Sequence, residues 1–216
     1  MKTTRLLAAL SLAFAATGVA FAQNATVAKA DADRLAAIAQ ANLAEIAAGK
    51  IAVEKSANPD VKAFAQKMID DHTTGLDETK KVAAAKNITL PTAPDAAHQK
   101  MAAELQKLSG TEFDKAYISQ GGVADHAKVH AKLKKDMTGA KDADIKALAT
   151  KLEPIVAEHG DMAKNSRHHS SNHAGSHSYR SQWARSQVGQ VKALNRYRGP
   201  ASAGPPLLPG RSPPAC

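Results

Sequence analysis

The sequence contains almost no cysteine and few aromatic residues. Its single cysteine, Cys216, is the last of 216 residues, so an internal disulfide is excluded and stability has to come from apolar burial. Aromatic residues make up only 4% of the chain, and Val, Ile and Thr are too sparse in its middle part to build a sheet. Neither an H-E-x-x-H motif nor a glycine-rich nucleophile turn occurs. These absences favour an all-α protein without a recognisable catalytic motif.

Acidic residues are missing from residues 166–216, although this segment holds seven Arg and Lys residues. Together with two basic residues near the N-terminus, these seven account for the whole formal charge of +9. Residues 23–165 are therefore close to neutral. Because a nucleic-acid-binding domain carries its positive charge on the folded part, we expect no nucleic-acid partner.

Residues 1–22 have the three parts of a secretory signal peptide. The segment begins with the basic residues Lys2 and Arg5, continues with an uncharged apolar run at 6–16, and ends with Ala-Phe-Ala at 20–22 as a cleavage site. The apolar run is too short for a transmembrane helix, and no stop-transfer sequence follows it. We therefore predict a periplasmic or secreted protein with no transmembrane span after cleavage. Peripheral association with the outer envelope stays open.

Apolar residues recur at helical spacing along four long segments of the chain. Asn58 and Pro59 have the residue types of an N-cap and a first helical position, and Ser109 with Glu112 has the spacing of a capping box. Because the four long segments have similar lengths, an up-down four-helix bundle over residues 23–165 is favoured. The predicted helices span 31–55, 59–86, 96–108, 109–137 and 142–164, of which 96–108 is a short crossover helix.

Several residues interrupt these helices. Gly121-Gly122 costs about 1 kcal/mol per glycine in a helix, so this pair indicates a kink or a close approach of two helices. Pro154 removes one backbone hydrogen bond and is expected to bend the last helix. In the first helix, Asn42 and Gly49 interrupt the apolar face and weaken it.

The composition changes after residue 165. Residues 166–216 are rich in Ser, Arg, Gly and Pro and lose the helical periodicity, so we predict a disordered tail. The segment also reads like coding sequence translated out of frame, and a late frameshift is our hypothesis for its origin. Its four histidines either chelate nickel, copper or zinc or reflect incidental composition. They are His168, His169, His173 and His177.

Three histidines directly follow an acidic residue near the middle of three different long helices. They are His72, His126 and His159, and Glu45 lies at a comparable depth in the first helix. Since the midpoints of the helices share one level in an up-down bundle, these four side chains are expected to converge on the bundle axis. Iron, zinc or manganese is the kind of metal that this set would bind. The preceding acids would lie at the edge of each helix face, where they can orient an imidazole of a neighbouring helix.

The histidine pattern allows other interpretations. A carboxylate-bridged di-iron centre needs Glu three residues before His on two helices, but those positions hold Ile69, Val123 and Val156. The di-iron pattern therefore fails. Buried histidines with a purely structural role, hydrogen-bonded across helices, stay an open alternative to a metal site. If Glu45 and the imidazoles lie more than about 8 Å apart, a shared ion is excluded.

Three segments lie in order within residues 30–164: AEIAAGKIAVEKSANPDVKAFAQKMIDDHT, FDKAYISQGGVADHAKVH and LEPIVAEHGDMA. Together they resemble a family of exported bacterial proteins with a ferritin-like domain of unknown function, often labelled outer-membrane or secreted proteins. The resemblance implies a ferritin-like bundle in the periplasm or outer envelope, but it implies no reaction, and the tail departs from it. The residues that match the family pattern are Glu45, Phe64-Ala65, Asp71-His72, Phe113-Asp114, Tyr117, Asp125-His126, Pro154 and His159.

The sequence therefore predicts an exported helical-bundle protein of the envelope, non-enzymatic and stress-related, whose biochemical role is unknown. The alternative is a ferritin-like bundle that binds or oxidises a metal through Glu45, His72, His126 and His159. A third interpretation is an interaction module that uses its helical surface. The sequence specifies neither the oligomeric state nor the identity of the ligand.

Overall fold

The computed structural model describes residues 27–171, with side chains up to residue 167. The predicted signal peptide, 1–22, and residues 172–216 of the predicted tail lie outside the described residues. Within residues 27–171 every regular element is helical, so the all-α prediction is confirmed. The elements are α1 (Lys29–Lys55), α2 (Pro59–Ala85), α3 (Ala96–Lys107), α4 (Gly110–Ala116), a π-helical segment (Tyr117–Asp125), α5 (His126–Gly139) and α6 (Ala143–Ser171).

These helices pack as a bundle. α1 lies against α2 and α5 lies against α6, and α6 also contacts α2 and the π-helical segment. Short connections join α1 to α2 at 56–58 and α5 to α6 at 140–142, which is typical of antiparallel neighbours. α3 packs on α1 and carries the chain from the end of α2 to the start of α4. Among the described helices, none combines the length and the apolar character that a membrane crossing requires.

Two helix starts can be compared with the signals that predicted them. Asn58 Oδ1 accepts a hydrogen bond from Asp60 N at 2.9 Å, and Pro59 is the first residue of α2, as predicted. Ser109 is the N-cap residue of α4, which begins at Gly110, so the predicted start is confirmed, but the side chain of Ser109 makes no capping hydrogen bond and the predicted capping box is wrong.

A carboxylate of α1 holds the start of α6. Asp31 is buried, and its Oδ2 accepts hydrogen bonds from the backbone N–H groups of Lys141 and Asp142 at 2.9 and 2.7 Å. These two donors lie at the N-terminal end of α6, where backbone N–H groups lack helical partners. Pro154 lies inside α6, and the helix continues to Ser171, seven residues beyond the predicted end. The prediction of a disordered tail from residue 166 is therefore wrong for residues 166–171, which continue the helix.

The predicted third long helix is not uniformly α-helical. Its middle nine residues, Tyr117–Asp125, form the π-helical segment, which has a wider turn. Gly122 packs so closely against α6 that an added Cβ would lie 2.7 Å from Cβ of Ala163. The prediction that the glycine pair marks a close approach is therefore confirmed. An added Cβ at Gly121 would meet only the ring of Tyr117 at 3.6 Å, an ordinary contact distance.

Replacing Gly122 by alanine is expected to lower the thermal midpoint of unfolding by about 5 °C, because the new methyl group overpacks the contact with α6. The matched substitution Gly121→Ala is expected to leave the midpoint unchanged or to raise it, since alanine favours a helix more than glycine does. Thermal unfolding followed by circular dichroism measures both. Adding Ala163→Gly to Gly122→Ala should restore most of the loss. Equal effects of the two single substitutions would contradict the close contact.

The apolar core consists of two clusters. One surrounds Phe64, Phe113 and Tyr117, and the other surrounds Leu35 and Leu133. On each of the four long helical runs, buried polar residues lie in sequence between members of the two clusters. A polar layer therefore divides the core near the middle of the helices. This polar layer consists of Asn42, Glu45, His72, Asp125, His126 and His159.

The buried face of α1 differs from the predicted one. Leu43 and Ile46 are only half-buried, whereas Asn42 and Gly49, which interrupt the predicted face, are buried. At Gly49 the reason is the close approach of α2, because an added Cβ would lie 3.0 Å from the carbonyl oxygen of Ala65. Small and polar residues of α1 therefore lie on the side that faces the other helices.

Candidate metal centre

Three histidines from three different helices meet inside the bundle. His72 is on α2, His126 is the first residue of α5, and His159 is on α6. Their ring centroids lie 5.2–5.6 Å apart, and one ring nitrogen of each lies within 4.8 Å of those of the other two. The exposed fractions of the three residues are 6%, 2% and 0%. We call this group the three-histidine centre.

A side-chain amide of α1 orients His72. The distance from His72 Nδ1 to Asn42 Oδ1 is 3.0 Å, and Asn42 Nδ2 donates to the carbonyl oxygen of Ile38 at 2.9 Å. The second bond fixes which end of the amide faces the ring, so the acceptor oxygen is directed at His72. The proton of His72 is therefore on Nδ1, and the lone pair is on Nε2.

The π-helical segment orients His126. Nδ1 of His126 donates to the carbonyl oxygen of Gly121 at 2.9 Å. A carbonyl oxygen only accepts hydrogen bonds, so the proton of His126 is on Nδ1 and the lone pair is on Nε2. π-Helical turns are frequent at functional sites, and this one ends directly before His126.

A carboxylate of α2 orients His159. Nε2 of His159 donates to Asp71 Oδ2 at 2.7 Å, and Nζ of the buried Lys67 lies 2.8 Å from the same oxygen. Burial alone would raise the pKa of Asp71, but the hydrogen bonds and charges of His159 and Lys67 hold it below its usual value. Asp71 is therefore an ionised acceptor for Nε2–H, and Nδ1 carries the lone pair when the ring of His159 is neutral. The acid thus orients an imidazole of a neighbouring helix, as the sequence predicts.

The three lone pairs find no partner within the described part of the chain. Nε2 of His72, Nε2 of His126 and Nδ1 of His159 are buried there without a hydrogen bond. In each ring the opposite nitrogen donates to a protein oxygen. A buried acceptor without a donor costs about 1–3 kcal/mol, and three such acceptors occur together in this centre.

Burial keeps two rings of the centre, those of His72 and His126, uncharged. It lowers the pKa of His72 well below the usual value, and the neighbouring His159 and His126 lower that pKa further. The pKa of His126 is lowered to about 4, first by burial and then by the charge of His159. The rings of His72 and His126 are therefore neutral at pH 7, which is the state in which imidazole binds a metal.

Glu45, the fourth predicted ligand, lies beside the three-histidine centre. It is not among the described residues whose ligand atoms lie within 4.8 Å of one another. Its Oε1 is 3.5 Å from Nδ1 of His126, the nitrogen that donates to Gly121. Burial raises the pKa of Glu45 well above its usual value, and the charge of Asp125 and a hydrogen bond to it raise the pKa further. In this arrangement Glu45 is next to the protonated nitrogen of His126 and not to its lone pair.

A further histidine, to which the sequence pattern assigned no role, contacts the polar layer from α3. His98 Nε2 lies 3.1 Å from Asp125 Oδ1, and His98 Nδ1 lies 2.7 Å from Asp95 Oδ2. The hydrogen bond to Asp125 is the main reason that the pKa of His98 rises to about 9. Asp125 is therefore bonded to a protonated histidine outside the centre. The only local signal for this role was the three-residue spacing of Asp95 and His98 at a helix start.

The remaining histidines lie elsewhere. Nε2 of His130 is 2.6 Å from Glu153 Oε1, in a half-exposed position. The four tail histidines lie where the structure describes no side chains, so the interpretation of that segment stays a prediction. Of the five histidines that precede the tail, three therefore form the centre, and His98 and His130 each pair with carboxylates.

The geometry of the centre suits a divalent metal ion. Zn–N bonds are about 2.0–2.1 Å long, so a tetrahedral ion would bring the nitrogens to about 3.3 Å from one another. One ring nitrogen of each histidine lies at most 4.8 Å from those of the other two, so the three rings would close by up to about 1.5 Å around such an ion. Three protein ligands also leave a fourth coordination position for water or another ligand.

Comparison with known proteins identifies a family and no characterised relative. The family model described as "Domain of unknown function (DUF4142)" matches residues 16–165, which is more than half of the chain. No curated protein and no solved structure matches. The matched range includes every residue of the three-histidine centre.

Proposed function

This chain belongs to the DUF4142 family, a domain of unknown function, and we propose that it is a metal-binding helical-bundle protein. In this proposal His72, His126 and His159 hold one divalent transition-metal ion. Two observations carry it: each of the three buried rings has one nitrogen without a hydrogen-bond partner among the described residues, and one ring nitrogen of each lies within 4.8 Å of those of the other two. The metal-binding alternative is thus preferred to a bundle without a ligand.

A water molecule is a poor substitute for a metal ion as the partner of these nitrogens. Water has two donor hydrogens, so it can satisfy two of the three lone pairs and leaves the third without a donor. Burial lowers the pKa values of His72 and His126, so these two rings do not act as protonated donors. A cation that accepts three lone pairs satisfies the whole centre.

A purely structural role explains the hydrogen-bonded nitrogen of each ring but not the nitrogen that has no partner. The outer hydrogen bonds of the three rings connect them to α1, α2 and the π-helical segment. Apolar side chains of similar size would fill the same space without any unpartnered nitrogen. Metal-binding histidines, in contrast, typically donate their second N–H to a carboxylate, a carbonyl or another fixed oxygen, because this bond orients the ring. All three rings have such a bond.

The donor set favours particular metals. Imidazole nitrogens suit zinc, copper, iron and nickel, whereas manganese prefers carboxylate and water oxygens. Because Glu45 lies beside the centre, manganese is the least favoured of the metals predicted from the sequence. Three histidines with a fourth open position are a known zinc arrangement, so zinc is the first metal to test. The three ligands also fit one ion, without the carboxylates that a di-iron pair needs.

The test is the metal content of the purified full chain. The four tail histidines are first replaced by serine, so that they cannot contribute; this background carries His168→Ser, His169→Ser, His173→Ser and His177→Ser. After equilibration with zinc and removal of free metal, elemental analysis should give close to one zinc per chain. Adding His72→Ala, His126→Ala and His159→Ala should reduce the value to nearly zero.

Two results would count against this function. The first is a chain that retains no zinc, copper or iron at micromolar concentration. The second is a chain in which the three histidine substitutions lower stability while metal binding was never present, because the histidines would then be structural.

Replacing Asp71 by asparagine is expected to weaken zinc binding by about 10- to 100-fold, because the acceptor that orients His159 loses its charge. The matched control is Asp70→Asn, since Asp70 is exposed and its Oδ1 accepts a hydrogen bond from Gln66 Nε2, away from the three-histidine centre. Competition with a chromophoric chelator measures both affinities. Equal affinities of the two variants would show that the bond to His159 does not support the metal.

We also propose export to the periplasm or secretion and a ferritin-like up-down topology. Residues 1–22 support export by their basic start, apolar run and cleavage site. Four long helical runs and the crossover through α3 support the topology. N-terminal sequencing of protein from an expressing bacterium should begin at Gln23, and a retained leader would contradict export. A stress-related role stays a prediction of the sequence.

A further inference from the structure

We propose that the fourth position of the metal binds a small neutral molecule of two or three non-hydrogen atoms, which occupies a cavity beside His72 and His159. This inference rests on the proposed function, since it requires the metal. The cavity lies among α1, α2, α5 and α6, and its lining includes His72 and His159 but not His126. In this inference the open position of the ion faces the cavity, because two of its three ligands line it.

The size of the cavity limits what can bind. Its volume is about 40 Å³. A water-sized atom needs about 10–15 Å³ of such volume, so the cavity has room for about three atoms. Diatomic and triatomic molecules fit, whereas a five-membered ring or an amino acid does not.

The lining of the cavity limits the charge of its occupant. Eight of its thirteen lining residues are Ala, Val, Leu or Ile. The polar groups of Asn42 and Asp71 are already bonded to His72 and His159. Lys132 is the only cationic lining residue, and its Nζ is exposed and lies 3.5 Å from Asp136. An anion would therefore gain little from the walls, which favours a neutral, weakly polar molecule.

The cavity lies close to the protein surface. Its lining runs from the fully buried His159 to the exposed Lys132. Val129 lines it from α5, is half-buried, and belongs to neither the three-histidine centre nor its hydrogen bonds. A change of volume at Val129 should therefore alter the cavity without altering the metal ligands.

The test uses nitric oxide as the probe on the full chain loaded anaerobically with iron(II). Nitric oxide is neutral and diatomic, and its coordination to iron(II) is read by electron paramagnetic resonance. Wild type should form one nitrosyl per bound iron. Val129→Phe, which fills the cavity, should raise the dissociation constant for nitric oxide by about tenfold or more at unchanged iron content. Val129→Ala should keep nitric oxide binding and admit imidazole, which wild type excludes.

Each outcome decides a different point. Full iron content with no nitrosyl, or with a nitrosyl that Val129→Phe leaves unchanged, overturns this inference and leaves the proposed function standing. Equal binding of imidazole by wild type overturns the size limit and with it the inference. Absence of iron binding overturns this inference, and absence of zinc and copper binding as well overturns the proposed function. If Val129→Phe fails to fold, Ile155→Phe fills the same cavity from α6 and takes its place.

Discussion

Saturating zinc is expected to raise the thermal midpoint of unfolding of the full chain by about 10 °C, and His126→Ala is expected to abolish that rise. A ligand that binds only the folded state stabilises it by about 4 kcal/mol at a free concentration 1,000 times its dissociation constant. In a chain of this length about 1 kcal/mol corresponds to about 2–4 °C. Differential scanning calorimetry with and without zinc measures the shift, in the background without tail histidines.

The matched control for this shift is His130→Ala. His130 lies one helical turn after His126 on α5, but it is half-exposed and pairs with Glu153 outside the three-histidine centre. Its replacement should keep the full zinc-induced rise. If both variants keep the rise, zinc binds elsewhere, and if both lose it, α5 itself has been disturbed. The three-histidine centre is supported only if the zinc-induced rise is lost in His126→Ala and retained in His130→Ala.

Lowering the pH of the metal-free chain from 6.5 to 4 is expected to reduce the free energy of unfolding by about 3 kcal/mol through His126 alone. The pKa of this ring is about 4 in the folded chain, against an ordinary value of 6.5. Between these values the unfolded chain binds a proton that the folded chain does not, so stability falls as the pH falls. His72, whose pKa is also lowered, adds to the loss in the same direction.

Two neighbouring groups change stability in other ways. The pKa of Glu45 is raised, so its contribution is present at low pH and is lost as the pH rises above about 4.5, which offsets part of the acid loss. The pKa of His98 is raised to about 9, so its contribution is complete below about pH 6.5 and is lost as the pH rises through about 9. A stability maximum near pH 6.5 follows.

Urea unfolding at pH 7 and pH 4 isolates the contribution of His126. The matched variant is His126→Gln, whose side chain is polar but does not titrate. The loss of stability between the two pH values should be smaller in the variant by about 3 kcal/mol. A loss of the same size in both proteins would show that His126 is not buried as a neutral ring.

The helices could be predicted from the sequence because their signals are local. The pair Asn58 and Pro59 marks the start of α2 correctly, since both act within one turn. The buried face of α1 was harder to predict, because an analysis of periodicity assigns apolar residues to the buried face and polar or small residues to the exposed one. Asn42 and Gly49 were judged to be interruptions, although one bonds to a neighbouring ring and the other admits a neighbouring helix. The only sequence feature that indicated the π-helical segment was the glycine pair at 121–122.

The meeting of His72, His126 and His159 could also be predicted, because equal depth in antiparallel helices is a matter of counting residues. The hydrogen-bond partners that orient the three rings could not be predicted. The carbonyl oxygen of Gly121 has no side-chain signature, and the choice of Asp71 for His159 depends on the rotation of two helices about their axes. Glu45 has the right depth, yet its rotation places it beside Nδ1 of His126.

The polar layer also has a consequence for the register of the helices. An alanine-rich interface offers few large side chains that would distinguish one axial offset from the next. Sliding one helix by a single turn, about 5.4 Å, would place an imidazole against aliphatic side chains and separate it from its acceptor. Buried polar groups are known to fix register in this way at the expense of stability. The layer therefore selects one alignment of the helices even before any ligand binds.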